Sequence, residues 1–132
     1  MKNNILAVLG GTVALFGLGY LIYEVLGFNG QNGTAAETVF TGLNLSAIIL
    51  MEVLYAALVT IIFSRWAQIK TFATGAQAGL IIGAFIGCCT SLELFATTTD
   101  LVDISGVILT AITFGVRFAV AGGVIGWFLG RE

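Results

Sequence analysis

Histidine is missing from this 132-residue chain, which removes the imidazole ligands of haem, chlorophyll and zinc and the commonest general base. Proline is missing too, so no ring interrupts a helix. Cysteine occurs only as the adjacent pair Cys88 and Cys89, inside an apolar run and without the spacing of a four-ligand metal site. Both are read as small packing residues. Charge is scarce: Asp, Glu, Lys and Arg make up 9% of the chain, where a soluble domain carries roughly a quarter. There is no basic run to hold nucleic acid, no phosphate-binding loop and no Gly-x-Ser-x-Gly elbow; Gly17-Leu-Gly19 lies within an apolar run, the wrong setting for a dinucleotide site. The expectation is a protein that is not an enzyme and holds neither cofactor nor metal. An intramembrane enzyme working through Glu52 and Glu93 is the least supported class.

What remains is overwhelmingly apolar, with 58% hydrophobic residues and a mean hydropathy of +1.06. Four runs stand out, at about Ile5 to Phe28, Leu43 to Trp66, Ala76 to Ala96 and Leu101 to Leu129. Each reaches the roughly 20 residues that carry a helix across about 30 Å of hydrocarbon. Helices are required there because they satisfy their own backbone hydrogen bonds. The fold class expected is an all-α integral membrane protein, with residues 1–132 forming one domain of four antiparallel transmembrane helices. The first run exceeds a signal h-region and lacks an Ala-x-Ala site, so it is read as a retained span.

Lys2, Arg65, Lys70 and Arg131 fall on one side of the four spans, and Glu24, Glu37, Asp100 and Asp103 on the other. The positive-inside rule makes the cationic side cytoplasmic and puts both termini there. Tyr20, Tyr23, Trp66 and Trp127 lie near span ends, as an aromatic belt requires. In the linker SRWAQIKTFATG, Trp66 and Phe72 suit headgroup depth while Arg65 and Lys70 meet anionic lipid. The outer linker NGQNGTAAETVFTGLN contains Thr34-Ala-Ala-Glu37, the spacing of a capping box, and predicts a short surface helix before span two. In the outer turn TTTDLVD, Asp100 suits the N-cap of span four and Asp103 its first turn.

Glycine spacing is the strongest pattern. Gly75, Gly79, Gly83 and Gly87 recur every four residues in span three, and Ser91 continues the series. In span four Gly122, Gly126 and Gly130 do the same beside Ala111, Gly115, Ala119 and Gly123. No hydrophobic force joins helices in lipid, so such small-residue seams let backbones approach and gain van der Waals contact. The pattern leaves open whether the seams join spans three and four of one chain or two copies; the expectation is a homo-oligomer, or a subunit of a larger membrane complex, formed through the glycine faces. A weak echo of glycine-rich first helices in the two hairpins points to a same-orientation repeat.

The charges inside the spans are the other feature. Arg117 lies halfway along span four, and at 100° per residue Thr110 and Thr113 share its face while the glycine seam lies opposite. Counting inward at 1.5 Å per residue, Glu93 is roughly 7 Å deep, Glu52 roughly 14 Å and Arg117 roughly 22 Å. A central charge costs about 2.5 to 3.5 kcal/mol on insertion scales, so an ion pair of Glu52 with Arg117 is the favoured arrangement, with Tyr55 one turn along. One reading makes that pair a structural clasp. The other makes Glu24, Glu52, Glu93 and Asp103 an outward-facing acidic vestibule floored by Arg117, suited to a proton-coupled carrier or small-cation pore, with a dimer to complete its wall.

The stretches GLGYLIYEVL, FSRWAQIKTFATGAQAG, LFATTTDLVD and GGVIGWFLGRE together resemble a family of small four-span bacterial inner-membrane proteins common in Bacteroidetes-like genomes. The similarity covers most of the chain. Its most specific parts are the linker from Arg65-Trp66-Ala67 to Gly75 and the Ala96-Thr97-Thr98 turn followed by Asp103. The resemblance implies a bacterial inner membrane and four spans, and it carries over no catalytic residue.

Overall fold

The computed structural model describes residues 2–25, 45–98 and 101–131. These form four helices and, among the described residues, no strand. Helix α1 runs Lys2–Gly19 and continues as a π-helical turn, Tyr20–Val25; α2 runs Leu45–Ile61 and ends in a second π-turn, Ile62–Ala67. Helices α3, Phe72–Thr97, and α4, Ile104–Leu129, are 26 residues each. All four are long and apolar enough to cross a membrane. The predicted outer-surface helix and the capping box at Thr34 and Glu37 lie outside the described residues, as does Asp100.

The ends of α3 and α4 follow from local chemistry. Thr71 has extended backbone, and its Oγ1 accepts from Thr74 N–H at 3.2 Å, capping one of the first-turn donors of α3. At the other end of the hairpin the N-cap of α4 is Asp103, not Asp100. Its Oδ1 accepts from Gly106 N–H at 2.9 Å and from Ser105 Oγ at 2.6 Å. The preceding Val102 is buried against Val107, which is the hydrophobic staple that fixes the chain's entry into a helix capped at 103. Asp103 is therefore the cap rather than a first-turn residue, and Leu101 and Val102 belong to the turn.

Helix α4 is the centre of the bundle. Half of its span is buried inside the chain (50%), against 22% for each of the other three. One face of α4 carries α3 along nearly its whole length; the opposite side meets α1 and, more narrowly, α2, which packs mainly on α1. The two hairpins are thus unequal, because α1 packs more extensively on α4 than on its own partner. The repeat suggested by the glycine echo does not extend to packing.

The glycines explain the closeness of α3 to α4. A methyl group at Gly75 would overlap the Gly122 carbonyl; at Gly79, the Phe118 carbonyl; at Gly83, the Phe114 carbonyl and the Phe118 side chain; at Gly87, the Thr110 carbonyl and the Phe114 side chain. Three steps of four along α3 match three steps of four back along α4. The line continues beyond α3, where Gly126 faces the Thr71 carbonyl and Gly130 the Lys70 carbonyl. Gly115 and Gly123 face the same way, toward Leu80 and the Phe72 ring. Both small-residue lines of α4 are therefore filled by α3 and the linker before it. The question of which helices the seam joins is answered within the chain, and these faces are not left open to a second copy.

On the other side of α4 a core of Leu15, Ala56, Phe63, Phe118 and Ile125 packs α1, α2 and α4 together. The residues exposed on the helix flanks are large and apolar, among them Ile5, Leu9, Leu54, Phe85 and Ile112, as lipid-facing positions are. Cys88 is half-buried and Cys89 exposed, and neither is in a disulfide.

Candidate functional site

Three helices meet at Arg117. Its Nη2 donates to both carboxylate oxygens of Glu52, at 2.8 Å to Oε1 and 2.7 Å to Oε2, and to the Leu15 carbonyl at 3.4 Å. The guanidinium lies against Gly19 on α1 and over the Phe114 ring, 5.2 Å from its centroid. Side-chain exposure is 3% for Arg117 and 1% for Glu52. The pair joins α4 to α2, and the hydrogen bond to Leu15 adds α1.

Physical chemistry accounts for this placement. Two unpaired charges at the centre of a bilayer would cost roughly 5 to 7 kcal/mol on insertion scales, and mutual neutralisation removes much of that. Charge-assisted hydrogen bonds gain strength in a low-dielectric setting. The Leu15 carbonyl lies one turn before α1 changes from α to π geometry at Tyr20, and π-turns shift the backbone ladder that normally satisfies such carbonyls.

The glycine and charge patterns do not by themselves mark Phe114 and Phe118, which lie between the pair and the glycine seam. Phe118 is 1% exposed. It meets the Tyr55 ring edge-on, with centroids 5.1 Å apart and planes at 74°, and stacks on Phe114 at 6.1 Å and 11°. Tyr55 thus stands one turn from Glu52 and braces the same junction from α2. Phe114 lies three residues before Arg117, so the i, i+3 neighbour rule is a signal for it, whereas Phe118, one residue after, carries no such signal.

The remaining site residues are dispersed. Thr113 and Thr110 are buried, but their hydroxyls donate to carbonyls of their own helix, Thr113 Oγ1 to Thr110 at 3.1 Å and Thr110 Oγ1 to Gly106 at 2.8 Å. Thr110 also turns its carbonyl toward Gly87 of α3, so its backbone belongs to the seam. The reason is geometric: a line of contacts every four residues drifts about 40° per step round a helix that turns every 3.6 residues. Glu93 is exposed on α3, and continuing the register sets it level with Ile104, thirteen residues and roughly 20 Å along α4 from Arg117. Asp103, exposed and occupied as a cap, is about 21 Å away on the same count. The Glu24 side chain lies outside the described residues. Among the described residues Glu93 and Asp103 therefore do not join Glu52, so these two acids of the expected vestibule stand apart from the ion pair. Polar faces on the outer turns of a helix end at the headgroups, where an acid can face water without an interior.

Among the described residues no cluster of acids or cysteines has the make-up of a metal site. No family model matches the chain, and neither a curated protein nor a solved structure matches it.

Proposed function

We propose that this chain is a non-enzymatic, multi-pass protein of a bacterial inner membrane, acting as a packing or accessory subunit whose Glu52–Arg117 pair is a structural clasp. The observation that carries this reading is the enclosure of the pair. A carboxylate 1% exposed and a guanidinium 3% exposed, bonded to each other and to a carbonyl of a third helix, hold three helices at one point. A carrier needs its charged group to meet water on one side of the membrane in some state. Here α1, α2 and α4 would have to part to expose it.

Both termini are assigned to the cytoplasm. Asn4, Arg65, Lys70 and Leu129 line one cleft, which gathers the beginnings of α1 and α3 and the ends of α2 and α4 on the cationic side. Association with further copies or a larger complex uses faces other than the glycine seam, which the chain fills itself.

Flux across proteoliposomes tests the reading. Wild type and Glu52→Gln are both expected to pass protons and small cations no faster than protein-free vesicles at any pH between 5 and 8. A flux present in the wild type and lost in Glu52→Gln would establish transport in place of the clasp. For orientation, Arg131→Cys in a chain with Cys88 and Cys89 changed to alanine should react with an impermeant maleimide only after the cells are lysed. Labelling of intact cells would reverse the topology.

A further inference from the structure

We propose that the cleft at the cationic end is a binding site for the phosphate of an anionic phospholipid. Asn4 of α1, Ser64 and Arg65 of the π-turn ending α2, Gln68 and Lys70 of the linker, and Leu129 of α4 line it. The polar lining is two cations, a hydroxyl and two amides, with no carboxylate. Among the described residues neither Arg65 nor Lys70 is in an ion pair. The Ser64 hydroxyl and Gln68 Nε2 donate to carbonyls of their own turn, so Arg65, Lys70 and the Asn4 amide are the donors this cleft presents, a set complementary to a phosphate ester.

The backbone is built to hold this arrangement. Gln68 is the one described non-glycine residue with positive φ, at φ 54° and ψ 41°, a conformation that costs a side-chain-bearing residue energy and marks a chain reversal. The reversal brings Lys70 back beside Arg65. It also silences the negative end of α2. Gln68 and Ile69 N–H groups donate to the Phe63 carbonyl, and Gln68 Nε2 donates to the Ser64 and Arg65 carbonyls at 3.4 Å each. Carbonyls that would repel an anion are thereby occupied. Lys70 and Thr71 are held from behind, because their carbonyls rest on Gly130 and Gly126.

A lipid, rather than free phosphate, fits the surroundings. Trp66, 75% exposed, and Phe72, 50% exposed, flank the linker at the depth of an aromatic belt. Ile5 and Leu9 on α1 and Leu58 and Ile61 on α2 are exposed and apolar in the turns adjoining the cleft, where acyl chains would lie.

Retention of phosphatidylglycerol by the full chain in neutral detergent tests the site. Removing both cations in Arg65→Gln/Lys70→Gln is expected to weaken retention by about 30-fold. Arg131→Gln removes a cation at the same end that stacks over Trp127 outside the cleft, and it should leave retention within about twofold. Retention by the wild type should also fall with rising salt. Equal retention of phosphatidylcholine, unchanged retention by the double variant, or insensitivity to salt would each overturn the proposal. Displacement of the lipid by millimolar inorganic phosphate would reassign the cleft to the free anion and overturn the lipid identity.

Discussion

Arg117 and Glu52 cannot be judged one at a time. Removing one partner of a buried pair leaves an uncompensated charge, at a cost of about 3 to 5 kcal/mol, whereas apolar replacement of both is often neutral or stabilising. Glu52→Leu or Arg117→Met alone should therefore lower the unfolding midpoint in detergent sharply. Glu52→Leu/Arg117→Met, similar in volume and apolar, should recover most of that loss. Thermal unfolding of the four proteins of this double-mutant cycle checks the expectation, and a double variant as unstable as either single one contradicts it. This pair was legible in the sequence because a lone cation in hydrocarbon demands an acid and Glu52 was the nearest in depth. The Leu15 carbonyl was not legible, since every residue has one. Asp100 and Asp103 were equally plausible caps by residue type. The choice depended on the staple between Val102 and Val107, which is a matter of packing and appears only once the turn is folded.

The seam between α3 and α4 decides matters at the scale of the element. Its four-residue spacing was plain in the sequence, but its partner was not, because a line of glycines accepts any backbone that approaches it. Phe114 and Phe118 escaped notice for a related reason. The flat helical wheel assigns each residue one direction, whereas a contact line with a period above 3.6 drifts round the helix and winds the two helices about each other in the right-handed sense. Substitution distinguishes seam glycines from the rest. A methyl group at Gly79 meets the Phe118 carbonyl, while one at Gly17 meets nothing within 4 Å. Gly79→Ala is expected to cost about 1 to 3 kcal/mol through overpacking, and the backbone cannot yield without opening the hairpin. Gly17→Ala should be neutral or stabilising by up to about 1 kcal/mol, from helix propensity alone. Equal effects at the two positions, measured by unfolding in the same detergent, would show that glycine there serves something other than close approach.

Across the whole molecule the four helices are held by unlike means. Helix α3 is tied to α4 by backbone contact along its length, whereas α2 touches α4 narrowly, at contacts that include the ion pair and the Tyr55–Phe118 rings. Elements of a fold open independently when the contacts between them are few, so the clasp should govern α2 far more than α3. Hydrogen exchange can resolve this difference. In the wild type, amides of α2 and α1 should exchange before those lining the α3–α4 seam. Glu52→Gln leaves Arg117 buried without its carboxylate, and a loss of about 3 to 5 kcal/mol confined to this junction corresponds to exchange in residues 45–61 at least a hundredfold faster. Amides of α3 at the seam should change by less than about threefold, because none of their contacts involves the pair. An even loss of protection over all four helices would mean that the bundle opens as one unit, and the ion pair would then stabilise the whole fold rather than hold α2 in place.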